Sequence, residues 1–61
     1  KDVVDKVLAS MPVQYRMVLS LRHLEEMSYS EIAESLDIPI GTVKTLIYRA
    51  REMFIKKYEG I

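Results

Sequence analysis

Apolar residues recur along this chain at steps of three and four in successive runs, the spacing that turns one side of an α-helix toward a core. In the first run Val3, Val4, Val7, Leu8 and Met11 share a side, Asp2, Asp5 and Lys6 take the other, and Asp2 suits a helix start. Pro12 ends this helix and can act as the first residue of the next, where its fixed φ is already helical and its missing N–H is no loss. The second helix is expected to reach about Leu24 or Glu26 and to bury some mixture of Val13, Met17, Val18, Leu21 and Leu24.

A break follows. Ser28-Tyr29-Ser30-Glu31 has the spacing of a capping box, in which the Ser28 hydroxyl accepts from the Glu31 N–H and the Glu31 carboxylate accepts from the Ser28 N–H. The third helix should start there, with Ile32 and Leu36 inward and Ala33 small enough for a close helix crossing. Asp37 stands where such a turn needs a left-handed residue, a conformation that Asp tolerates better than most. Ile38 plugs the turn, and the fourth helix starts near Pro39 or Ile40. Val43, Ile47, Ala50 and Phe54 face inward, Leu46 and Met53 flank them, and Gly41, Lys44, Thr45 and Tyr48 share the opposite face.

This pattern predicts an all-α domain of four helices over residues 1–61, with a helix-turn-helix from Tyr29 to Lys44. Ile32, Ala33, Leu36, Ile38, Val43 and Leu46 fill all six core slots of that motif. Its usual purpose is to hold one helix across a scaffold and push the next into the major groove of DNA.

Charge changes the picture only when it is divided. The chain as a whole is neutral. Residues 1–37, however, hold four basic against seven acidic side chains, net −3, while residues 38–61 hold five against two, net +3. The positive share falls on the last helix, where a groove reader needs it. Basic residues late in a helix also suit its dipole, and Lys56 and Lys57 need no further explanation.

With no cysteine, disulfides and thiolate metal sites are excluded, and a reducing cytoplasm fits. A single histidine, His23, would leave any zinc leaning on carboxylates, so no metal or other cofactor is expected. His23 reads as a half-exposed helix residue with no Ser or Cys arrangement near it. Glycine-rich phosphate loops are missing too, which leaves an enzyme without support. No apolar run approaches the roughly 20 residues that span a bilayer, so a soluble chain without membrane insertion is expected. Starting at Lys1 and opening straight into helical sequence, it reads as a piece of a longer protein.

If the fourth helix enters a groove, base edges fall to Lys44, Thr45, Tyr48 and Arg49. Lys44 can donate to guanine, Thr45 can serve a base edge or a phosphate, Tyr48 offers a ring to thymine methyls or a hydroxyl to phosphate, and Arg49 supplies a fork-shaped donor. Phosphate contacts fall to Tyr29 and Ser30 at the start of the supporting helix, to Gly41 and Thr42 in the first turn of the reading helix, and to Arg51. The blander account leaves each of these as a solvated residue, with Gly41 easing the turn and Ser30 capping. Arg16 and Arg22 suit DNA, a protein partner, or an ion pair with Glu25 or Glu26 equally well. Leu46, Ile55 and the methionines can form an apolar docking face, although methionines more often fill a core.

Particular stretches carry a resemblance: Leu8-Ala9-Ser10-Met11-Pro12, Tyr15-Arg16-Met17-Val18-Leu19, Leu21-Arg22, Glu25-Glu26-Met27-Ser28-Tyr29, Glu31-Ile32-Ala33-Glu34, Ile38-Pro39-Ile40-Gly41-Thr42-Val43-Lys44-Thr45 and Tyr48-Arg49-Ala50-Arg51-Glu52. Together they resemble region 4 of bacterial sigma factors of the extracytoplasmic-function (ECF) group. The resemblance implies a helix-turn-helix fold of the winged-helix-like or sigma region 4 type. It further implies sequence-specific binding of the promoter −35 element, contact with the β flap of RNA polymerase, and in many members an anti-sigma factor that covers these surfaces. Leu46 departs from the family, which commonly has arginine there and so one more DNA-facing charge; Met11 stands where leucine usually precedes the proline. The DNA-binding domain of response regulators shares Glu-Ile-Ala and Thr-Val-Lys, but usually continues with a His and an Asn where this chain reads Thr45-Leu46-Ile47-Tyr48-Arg49. A module acting mainly as a protein dock is the other alternative.

Overall fold

The chain is helical almost from end to end, and each break carries a residue that explains it. In a computed structural model, residues 2–60 are described; Lys1 and Ile61, the ends of the expected domain, lie outside the described residues. Helix α1 spans Asp2–Ala9 and α2 spans Val13–Leu19, which runs on without a break into a π-helical turn, Ser20–Leu24. Helix α3 spans Tyr29–Leu36 and α4 spans Ile40–Glu59. The described elements are all helices, so the winged-helix-like variant has no wing here.

Ser10 ends α1 by donating its hydroxyl to the Val7 carbonyl at 2.8 Å. The chain then turns through Met11, which is buried, and Pro12. The structure places Pro12 one residue outside α2, with φ −54° and ψ 148°, rather than as its first helical residue. Seating Met11 in the core fixes the corner there, and the Pro12 carbonyl opens α2 by accepting the N–H groups of Tyr15 and Arg16 at 3.1 and 3.0 Å.

Val7, Met11, Val18, Leu19, Ile32, Val43, Ile47 and Ala50 form the core. This corrects the expectation for the second helix. Val18 is buried and Leu21 packs against the core, but Val13, Met17 and Leu24 are 56%, 42% and 67% exposed, and Leu19 is buried in their place. Val18 and Leu19 meet α4, which puts Val13 and Met17 round on the side of α2 that no helix covers. Leu24 is the last residue of the π turn, where the Glu25 N–H reaches back five residues to the Ser20 carbonyl at 3.1 Å. The wider turn carries Leu24 off the face that a 3.6-residue period assigns to it. Val3 and Val4 are likewise more than a third exposed, so α1 buries chiefly Val7.

Around the turn of the motif the structure follows the sequence closely. The capping box forms, with the Ser28 N–H donating to Glu31 Oε1 at 2.8 Å and the Glu31 N–H donating to Ser28 Oγ at 3.0 Å. Asp37 is left-handed at φ 57°, and the Ile38 N–H closes the end of α3 on the Ala33 carbonyl at 3.0 Å. Pro39 caps α4, its carbonyl accepting from Thr42 and Val43 at 3.0 and 3.2 Å. The 20 residues of α4 extend about 30 Å, nearly the 34 Å length of the molecule. Helices α1, α2 and α3 all pack on it. Ile32 and Val43, both fully buried, lock α3 and α4 together.

Candidate nucleic-acid interface

Helix α4 is anchored from below by Val43, Ile47 and Ala50, and this decides what its other side presents. Gly41, Thr42, Lys44, Thr45, Tyr48 and Arg49 are all exposed, Tyr48 at 67%. The predicted base readers therefore share the uncovered surface of the first three turns. Steps of four and three carry Gly41, Thr45 and Tyr48 up its middle, with Lys44 and Arg49 to either side.

Two of these residues gain detail that the sequence did not offer. Thr45 donates its hydroxyl to the Gly41 carbonyl at 3.1 Å, one turn below. Gly41 has no positive φ, and a Cβ built on it would meet nothing within 4 Å. Neither the turn nor internal packing requires glycine at this position. Thr42 also differs from expectation, because its N–H is engaged by the Pro39 carbonyl. The donors of this first turn that remain for an anion are those of Ile40 and Gly41.

At the start of α3, Ser30 is exposed while Tyr29 is half-buried and packs against the core. The Arg22 guanidinium lies 5.1 Å from the centre of the Tyr29 ring and donates through Nη1 to the Met27 carbonyl at 3.0 Å. Arg22 thus ties the loop before α3 to its first residue, in place of the ion pair with Glu25 or Glu26 weighed from the sequence. Glu26 in that loop is left-handed, φ 55°. Arg16 turns back to α1, donating to the Ala9 carbonyl at 3.3 Å. No local pattern announces the Arg22–Tyr29 pair; it depends on how the loop folds.

Arg51, exposed like the other expected phosphate contacts on α4, also borders a second surface. It stands at the edge of an apolar groove of about 260 Å³, with Val4 and Leu8 of α1, Leu19 and Leu24 of the second helix and its π turn, and Phe54 and Ile55 of α4. His23 lines the same groove and is exposed rather than half-exposed. Of the apolar face expected from sequence, Ile55 alone lines this groove: Met11 is buried, Leu46, Met27 and Met53 pack against the core, and Met17 is exposed outside the groove. Sequence reasoning missed the groove because the pattern counts Val4, Leu8, Leu24 and Phe54 in its walls as core and leaves Leu19 out.

Among the described residues, no group of three or more His, Asp or Glu side chains is placed to hold a metal ion. Nor is any helix long and apolar enough to cross a membrane.

Four helices on one long axis, the last two in helix-turn-helix geometry with the second left open along its outer face, define a helix-turn-helix module. Residues 1–54 match the family described as Sigma-70, region 4. The ECF RNA polymerase sigma-E factors of Escherichia coli (strain K12) and Salmonella typhimurium (strain LT2) are each 41% identical to the chain over 61 residues, which is all of this chain and 32% of each relative. The ECF RNA polymerase sigma factor SigW of Bacillus subtilis (strain 168) is 41% identical over 60 residues, 98% of this chain and again 32% of the relative. The chain belongs to the sigma-70 region 4 family, and it spans about a third of the length of the curated relatives it matches.

Proposed function

We propose that this domain binds the promoter −35 element in duplex DNA as part of an ECF-type sigma factor that directs RNA polymerase to initiation. One observation carries the reading: the first three turns of α4 offer Lys44, Thr45, Tyr48 and Arg49 to solvent while Val43, Ile47 and Ala50 hold the same helix down. A helix seated in a major groove reads from its early turns, and lysine and arginine are the usual guanine donors. Ser30 and the Tyr29 hydroxyl at the start of α3, with Gly41 and Thr42 in the first turn of α4, supply the phosphate contacts, and backbone N–H groups at a helix start favour an anion. The family match and the ECF relatives do not favour the response-regulator alternative. This work belongs in the cytoplasm, where the template is.

Selection of bound duplexes from a random pool, with the protein assembled on polymerase core, tests the reading. A single enriched motif, lost in Lys44→Ala and Arg49→Ala variants of unchanged helicity, supports it. Recovery of unenriched sequence refutes it.

The groove between α1, the second helix and α4 supports a second, compatible role. Its apolar walls and the Arg51 cation at its edge suit an amphipathic helix with an acidic flank. We assign it to the β flap of RNA polymerase, with an anti-sigma factor competing for the same surface. Leu24→Asp should abolish polymerase docking while leaving duplex selection by the free protein intact; undiminished docking would exclude the groove.

A further inference from the structure

We propose that Thr45 selects a thymine in the bound duplex through its γ-methyl group, and that its hydroxyl takes no part in recognition as a donor. The inference rests on α4 being the major-groove helix and goes on to name what one of its side chains reads.

A threonine hydroxyl carries one proton. Here that proton is committed: Oγ1 lies 3.1 Å from the Gly41 carbonyl oxygen, which can only accept. Such back-bonding to the preceding turn is one of the two side-chain positions that threonine favours in a helix. With Oγ1 folded down onto the backbone, the outward atom of this exposed side chain is the γ-methyl. Guanine shows only acceptors, O6 and N7, along its major-groove edge, so Thr45 has nothing to give it.

The surroundings favour an apolar contact. Gly41, one turn below, has open space where a Cβ would stand, and Tyr48, three residues on, is 67% exposed. The methyl therefore stands on an exposed helix face that it shares with Gly41 and Tyr48, with the Lys44 and Arg49 cations to either side of that face. The thymine C5-methyl is the apolar group that a base pair presents in the major groove, and a threonine methyl is among its recognised contacts. Serine would make the same backbone hydrogen bond without a methyl. The information lies in the choice of threonine.

The test uses a duplex recovered in the selection described above and replaces each thymine in turn by uracil, which keeps the pairing and the groove donors and acceptors but lacks the methyl. Affinity should fall roughly fourfold at one position, the transfer value of one buried carbon. Thr45→Ser should bind the two duplexes nearly equally, whereas Thr45→Val, which keeps methyls and has no hydroxyl, should retain the preference. Circular dichroism confirms that both variants stay helical. The inference is overturned if no thymine responds, if Thr45→Ser keeps the full preference, or if Thr45→Val loses it. Failure of the wild-type protein to select any duplex would instead remove the underlying promoter reading, so the two failures are distinct.

Discussion

The two halves of this molecule use apolar residues differently. In α3, the turn and the first half of α4, the apolar positions that pattern assigns to the core are buried or packed against it, from Ile32 and Leu36 through Ile38 to Val43 and Ile47. In α1 and the second helix the apolar supply exceeds what α4 can cover, and Val3, Val4, Val13, Met17 and Leu24 remain exposed. Single exposed apolar residues such as Val3, Val13 and Met17 are ordinary on a protein surface, but Val4 and Leu24 join Leu8, Leu19, Phe54 and Ile55 in walling one groove. The difference teaches that the helix-turn-helix seals its own core, whereas the helices before it leave apolar surface open.

The largest expected effect breaks the first half of that comparison. Val43 is fully buried between α3 and α4, and Val43→Asp would strand a charge there. The cost should exceed the roughly 3–5 kcal/mol that a core in a chain this small supplies. Far-ultraviolet circular dichroism should show no cooperative melt at any temperature. Leu24→Asp is the counterpart on the other side: at 67% exposure it should shift the melting free energy by no more than about 0.5 kcal/mol. Equal destabilisation by the two variants would erase the distinction between a sealed motif and an open groove.

Next in size are the cations of the exposed face. Lys44→Ala and Arg49→Ala should each weaken duplex binding by about tenfold and lower the slope of log affinity against log salt by about one, with the melting temperature unchanged. Arg51→Ala, at the groove edge, should leave that slope alone. A salt titration of the three variants decides whether the charges of α4 divide between two surfaces as proposed. Smaller again is the capping box. Ser28→Ala removes an acceptor that holds the Glu31 N–H at 3.0 Å and should cost about 1 kcal/mol in thermal unfolding.

What could be read from the sequence, and what could not, follows the same division. The capping box, the left-handed Asp37, the start of α4 and its buried stripe are each decided by residues within four positions of one another, so one-dimensional spacing suffices to find them. The second helix is not local in that sense. Its apolar arc is wider than the face α4 offers, and which part is buried depends on where α4 lies and on the π turn at Ser20–Leu24, which carries Leu24 off its expected face. The exposure of Lys44, Thr45, Tyr48 and Arg49 was legible because they are the complement of a correctly assigned core. Arg51 and Arg22 were not, since one meets a groove built by α1 and the other a carbonyl and a ring brought near by a loop.

The smallest expected effect separates function from fold most cleanly, because its two readouts move in opposite directions. Glycine is a poor helix residue, and here no positive φ and no crowded neighbour justifies Gly41. Gly41→Ala should therefore stabilise the domain, by about 0.4–1 kcal/mol, chiefly by restricting the unfolded chain. If the bare backbone is there to admit a sugar-phosphate chain against the first turn of α4, the same methyl group should weaken duplex binding several-fold. Thermal melts and a binding isotherm on one preparation measure both. A variant that is more stable and binds as tightly as the wild type would show that nothing approaches Gly41 closely, and would move the phosphate contact off this turn onto Ser30 and the start of α3.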